Sequence, residues 1–223
     1  MPYVYAPGCA LTDYKPHLAE KIHAFLDQTL GGAPLYDTCC RVPHTLCEGT
    51  TVVNTCPGCN RRFREEHEGI GTVSLWEVLA ECDSFPFPDY KGLRLAIHDA
   101  CPTRTEPTVH AAIRALLQKM NITVVEPEFT RETQRCCGDS AYPAKPIPAI
   151  YAAMKARADE MPLENVCVYC VSCIKAMATG GKTPRYLVDL LFEEPTDPDA
   201  NDDYSFYTQL RAYRDAAQGA DQP

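Results

Sequence analysis

The order of the cysteines constrains this chain more than any other feature. The first half carries Cys9, the adjacent pair Cys39-Cys40 and the spaced pair Cys56-x-x-Cys59; the second half repeats that order with Cys101, Cys136-Cys137 and Cys170-x-x-Cys173. Adjacent cysteines make poor disulfide partners, because consecutive Cα atoms lie about 3.8 Å apart and disulfides usually span about 4.4–6.8 Å. A structural zinc site rarely needs two ligands with no residue between them. The total of 13 cysteines is odd. The opening residues MPYVYAPGCALTDYK have neither the basic start nor the apolar run of an export signal. The expected location is therefore cytoplasmic, and thiols this numerous in a reducing compartment point to metal or redox chemistry.

The surrounding pattern is that of an α/β protein. Short apolar runs at 3–6, 51–54, 93–98, 122–125 and 165–169 predict strands, and most of them run into a cysteine. The periodicity predicts helices over 14–30, 60–67, from Ser74 to about Cys82, from Pro107 through Met120, over 147–161, and over 184–194. Ser74-Leu-Trp-Glu77 is a capping-box pattern. Strands alternating with helices imply parallel sheets. Each half reads as strand and cysteine, helix, Cys-Cys, strand and Cys-x-x-Cys, helix, helix, so one ancestral domain is used twice. The expected division is a shortened first domain at 1–91, a second domain at 92–194, and an acidic linker with a final helix at 195–223. That linker reading covers 193–203, with the helix at 204–217.

With a net charge of −9 and a pI near 5.1, the chain is not expected to bind nucleic acid or an anionic membrane. No apolar run approaches the length of a membrane span. The segment AMATGGKT at 176–183 is a poor phosphate loop, because Ala176 replaces the first glycine and the stretch closes a helix.

Five thiols per half at strand ends suit a multi-iron cluster better than zinc, which takes four. The strings YAPGCAL, TCC, NTCPGCN, IHDACP, RCCG and CVSC resemble the cysteine-rich CCG domains of the B-type subunit of heterodisulfide reductase, over most of residues 3–192. The resemblance implies two pseudo-symmetric Rossmann-like domains. It implies a noncubane [4Fe-4S] cluster in each complete motif, one or two per chain, held by Cys101, Cys136, Cys137, Cys170 and Cys173 and by Cys9, Cys39, Cys40, Cys56 and Cys59. It further implies disulfide reduction with electrons from a partner protein, ferredoxin-like or a flavoprotein. The alternatives are a non-enzymatic electron-transfer or anchoring protein and a zinc-stabilised module.

One departure stands out. The second half has 32 residues between Cys-Cys and Cys-x-x-Cys, and the first half has 15. The first site is therefore expected to be distorted, with zinc or no metal as other outcomes, and Cys47 lies inside the shortened loop. Cys82 and Cys167 are expected to be buried thiols outside the ligand sets. His98, near the first cysteine of the second half, is a candidate proton donor to a leaving thiolate. Asp99 is read as a loop anchor. Arg41, Arg104 and Arg135 flank cluster cysteines, and Arg61, Arg62 and Arg64 are expected to pair with Glu65 and Glu66 on one helix face.

Overall fold

The computed structural model describes residues 2–200 and 205–220. Its elements are β1 (Tyr3–Ala6), α1 (Cys9–Tyr14), α2 (Pro16–Thr29), β2 (Thr51–Asn54), α3 (Pro57–Glu66), β3 (Gly71–Ser74) and α4 (Leu75–Ala80), followed by β4 (Leu93–His98), α5 (Pro107–Lys119), β5 (Ile122–Val125), α6 (Ile147–Asp159), β6 (Asn165–Val168), α7 (Val171–Thr179), β7 (Thr183–Tyr186), α8 (Leu187–Leu191) and α9 (Ser205–Ala220). The fold is α/β with two sheets, ordered β1-β2-β3 and β5-β4-β6-β7.

The same wiring is used twice. β1 pairs β2 and β2 pairs β3, all parallel, with Ala6 opposite Asn54 and Asn54 opposite Ser74. β4 pairs β6 and β6 pairs β7 in the same sense, with His98 opposite Val168 and Val168 opposite Tyr186. Among the described residues the first sheet has no full counterpart of β5, but Leu35 forms a single parallel bridge to Tyr5 at that edge. The central strands are buried along most of their length, as Val52, Val53, Ala96, Ile97, Val166 and Cys167 show. Parallel strands covered on both faces read as continuous apolar runs for this reason. Helices bury one stripe against them: in α2 that stripe is Leu18, Ile22 and Leu26, spaced four apart.

Two compact units emerge. One comprises the residues up to Leu93 together with Pro102–Ile122; the other comprises Arg94–Cys101 and Thr123 onward. Helix α5 thus packs with the first unit, on α4. At its start Glu106 accepts a hydrogen bond from Asn60 Nδ2 at 2.9 Å and pairs with Arg64. Asn60 in turn belongs to a buried network with Thr72 and Asn54. Hydrogen bonds among buried polar side chains therefore tie α3, β2, β3 and α5 together.

Three local expectations need correction. The helix placed at 184–194 is strand β7 followed by the short α8. Pro184 is tolerated because β7 is an edge strand, where a missing N–H interrupts no ladder. The helix placed at 14–30 is α2, starting at Pro16 behind a separate α1 that opens at Cys9. Cys82 lies in a half-buried turn after α4, its Sγ 3.2 Å from Ser84 Oγ, rather than in the core. The capping box at Ser74 forms as expected, with Ser74 Oγ accepting from Trp76 N and Ser74 N donating to Glu77. The acidic linker shows no regular element over 193–200, and residues 201–204 lie outside the described residues. No described helix is long and apolar enough to cross a membrane.

Candidate metal centres

In both units a single cysteine and a Cys-x-x-Cys pair follow the carboxyl ends of parallel strands, β1 and β2 in one and β4 and β6 in the other, the edge at which open parallel sheets bind ligands. Cys9 and Cys101 follow the last residues of β1 and β4 by three positions; Cys56 and Cys170 follow β2 and β6 by two. Cys56 and Cys170 are the N-cap residues of α3 and α7, which places Cys59 and Cys173 in the first helical turn. A helix N-terminus stabilises thiolate through its free amides and dipole.

In the first unit Cys59 is hydrogen-bonded to both Cys40 and Cys56. Those contacts lower Cys40 to about 6, with Arg62 and Arg41 adding to the effect. They lower Cys56 to about 7, with the amides of Cys59 and Gly58 contributing. Cys59, whose single S–H is shared between those two sulfurs, is driven upward by them and by burial. Cys9 is raised by burial and by the neighbouring charges of Cys39 and Cys56, so all five thiols form one interacting set. Gly8 makes this approach attainable. Its φ is +79°, and a Cβ there would lie 3.0 Å from Cys56 Cβ and 3.4 Å from Cys59 Sγ.

A cavity of about 150 Å³ opens beside these thiols, lined by Cys9, Cys39, Cys40 and Cys59 with Tyr36 and Asp37 among others. The Tyr36 hydroxyl is buried without a hydrogen-bond partner among the described residues. The short loop behind Cys40 is pinned by His67 Nε2 to Cys40 O at 3.0 Å and by His44 Nε2 to Glu68 O at 3.0 Å. Cys47 is exposed on this loop. The shortening therefore removes the cover from the first site and leaves its five thiols together.

In the second unit the five thiols form a chain of contacts: Cys101 to Cys136, Cys136 to Cys137, Cys137 to Cys173, and Cys173 to Cys170. Cys136 is held far below the usual thiol range by hydrogen bonds from Cys101 and Cys137. Ser140 Oγ at 3.1 Å and the Gly138 amide at 3.4 Å support it further. Cys101, Cys137 and Cys173 are raised by the same crowding and by burial. Gly138, at φ +101°, lets the backbone turn immediately after the pair; a Cβ would meet Met154 N at 3.0 Å. Helix α9 packs on α6 and α7 near this turn. Its Tyr207 hydroxyl donates to Asp139, and Phe206 stacks on Tyr142 with centroids 4.1 Å apart. Burial raises Asp139, and burial together with the Asp139 charge raises Tyr207.

His98 is fully buried at the end of β4. One of its ring nitrogens lies within 4.8 Å of the sulfurs of Cys137 and Cys173. Burial first, and Arg157 second, push its pKa down to about 3. Its burial and the Arg157 guanidinium both disfavour the charged form. Asp99 anchors the adjoining loop: its carboxylate accepts from Arg131 N at 2.8 Å, Thr130 Oγ1 at 2.9 Å and Tyr169 OH at 3.1 Å. Arg135 pairs with Glu160 and covers the Phe129 ring at 3.5 Å. Arg61, Arg62 and Arg64 pair with Glu65 and Glu66 along α3. Cys167 is buried within β6.

None of the 13 cysteines is in a disulfide. Each unit places five thiols, an adjacent pair among them, near one sheet edge, a donor set of soft sulfur suited to iron, zinc or copper; among the described residues three ligand atoms close to within 4.8 Å of one another at His98, Cys137 and Cys173. No family model and no curated protein matches the chain. Among solved structures, the aspartate racemase of Picrophilus torridus aligns at 11% identity over 86% of this chain and 94% of that one, with a TM-score of 0.36. A likeness that weak carries no argument about activity.

Arg157, Tyr36 and Tyr207 were not singled out from the sequence. No motif marks them, and Arg157 and Tyr207 reach their partners from distant parts of the chain. Arg157 is 59 residues from His98, and Tyr207 is 68 from Asp139.

Proposed function

We propose that this chain is an iron–sulfur redox protein similar to the B-type subunit of heterodisulfide reductase, reducing a disulfide with electrons from a partner protein. Cys9, Cys39, Cys40, Cys56 and Cys59 would hold one noncubane [4Fe-4S] cluster, and Cys101, Cys136, Cys137, Cys170 and Cys173 another. The observation that carries the reading is the gathering of five unlinked thiols in each unit by the same strand and helix wiring.

When bound, such clusters supply one-electron transfer and iron with affinity for sulfur. The balance of the reaction is one disulfide, two electrons and two protons giving two thiols, with the electrons arriving from the reduced partner. The protein's own groups divide the remaining tasks. The first-unit cavity admits a sulfur compound beside Cys9 and Cys39, both exposed. Tyr36 forms part of the cavity wall beside them. In the second unit α9 and α6 cover the Cys-Cys turn, which suits storage and relay of electrons.

Anaerobic purification tests the reading. Brown protein with roughly eight irons per chain and a paramagnetic signal supports two clusters, and roughly four irons supports one. Colourless protein containing zinc alone overturns it. Disulfide turnover with an artificial electron donor then separates an enzyme from an electron carrier.

A further inference from the structure

His98 has two ring nitrogens, and the structure constrains both. Nδ1 accepts a hydrogen bond from Arg157 Nε at 3.2 Å. A guanidinium can only donate, so Nδ1 bears no proton. The arginine is itself fixed, with Nη1 paired to Glu160 at 2.6 Å and Nη2 donating to Phe129 O at 2.9 Å. Arg157 is 2% exposed and His98 is 0% exposed, so water does not compete for these contacts. A neutral imidazole lacking a proton on Nδ1 carries it on Nε2. Nε2 is buried with no hydrogen-bond partner among the described residues, while the ring sits within 4.8 Å of the Cys137 and Cys173 sulfurs.

A histidine that binds metal usually donates its second ring N–H to a carboxylate or carbonyl, leaving the first nitrogen bare. Here the second nitrogen faces an arginine, which is the reverse arrangement. We infer that His98 is not a ligand of the second site but presents a fixed Nε2–H toward it, available to a sulfur of the loaded centre, with Arg157 as the positioning residue that sets the tautomer. A donor to sulfur stabilises the more negative state of a thiolate-bound centre, so it raises the reduction potential of that site. The matching position in the first unit is Ala6, also three residues before the first cysteine and at the same register of its sheet. The two sites are thereby offset in potential, with the second the better electron store.

The inference rests on the proposed function only for the identity of the metal. Nitrogen-15 NMR of histidine-labelled, metal-free protein reads the tautomer directly, with His98→Gln assigning the resonance. The expected result is a protonated Nε2 and a bare Nδ1. Arg157→Met should abolish that preference, whereas Arg157→Lys, which still donates, should retain it. A protonated Nδ1 in the parent protein overturns the inference. Zinc added to metal-free protein gives a second arm: a coordination shift at Nε2 overturns the donor role, and an unchanged Nε2–H upholds it even where iron clusters fail to form. In iron-loaded protein, His98→Gln and Arg157→Met should each lower the potential of the second site alone, by roughly tenfold in its reduction equilibrium, about 59 mV for one electron. An unchanged potential in both variants overturns it.

Discussion

The two units differ least in their sheets and most in what lies over them. Strand order, parallel register and cysteine placement are shared, down to the spacing from each strand end. Above that common frame the first unit has a 15-residue loop, a cavity of about 150 Å³ and three exposed thiols, Cys9, Cys39 and Cys47. The second has α6, a docked α9 and a buried histidine in place of Ala6. The contrast separates two demands that one site cannot meet together. Accepting a substrate needs an open approach, and holding an electron needs a dry, donor-lined pocket. A duplicated domain can satisfy both by altering only its coverings.

The sharpest way to break this comparison is to remove one adjacent pair at a time. Cys137→Ser should abolish the second site's paramagnetic signal and Cys40→Ser the first's, each costing roughly four irons. Loss of both signals from either variant would mean that the sites are interdependent. Cys167→Ser, outside the ligand set, should leave the iron content unchanged.

Backbone tests come next. Gly138→Ala must adopt φ +101° and push its Cβ to 3.0 Å from Met154 N. It should lower stability by about 1–3 kcal/mol, read by chemical denaturation. Gly8→Ala meets side-chain atoms of Cys56 and Cys59 instead. It should distort the first site more than it destabilises the fold, read as lost iron with a smaller change in the denaturation midpoint. Equal effects of the two on metal and stability would contradict the different surroundings.

Thiol reactivity should separate the units by pH. In metal-free protein Cys40 and Cys56 are lowered to about 6 and 7. Alkylation of Cys40, mapped by mass spectrometry, should fall about tenfold per pH unit below 6 and level off above it, because thiolate is the reacting form. A profile rising only near pH ~8–9, the ordinary thiol range, would contradict the shared protons. The smallest expected effect lies at α9. Tyr207→Phe removes the bond to Asp139 and should cost about 1 kcal/mol. It should increase labelling of Cys136 without changing that of Cys9.

Much of this was readable in advance. The strands YVYA, TVVN, LRLAIH and ITVV are apolar runs that end where chemistry begins, and they appear at the expected residues. Strands β3 and β7 were missed for a physical reason. GTVS and TPRY are short, contain glycine or proline and lie at sheet edges, where one ladder and partial burial suffice. The cysteine sets were legible because spacing within a strand–turn–helix unit is local. Arg157 was not, because its meaning depends on a partner in β4 that only the fold brings near. Nor was the full burial of His98 beside Arg157, which only the fold determines.

The division of the chain has a practical result for anyone dissecting it. Helix α5 follows β4 in sequence, yet it packs on α4 and is fastened by Asn60 and Arg64 to the first unit. A cut between 91 and 92, natural from the sequence, would strip one fragment of a covering helix and leave the other with an orphaned one. Glu106, Val109, Ile113, Leu116 and Leu117 would lose their cover together. The duplication is thus interlaced, and single-site forms of this protein are to be made by substitution within an intact chain rather than with a pair of scissors.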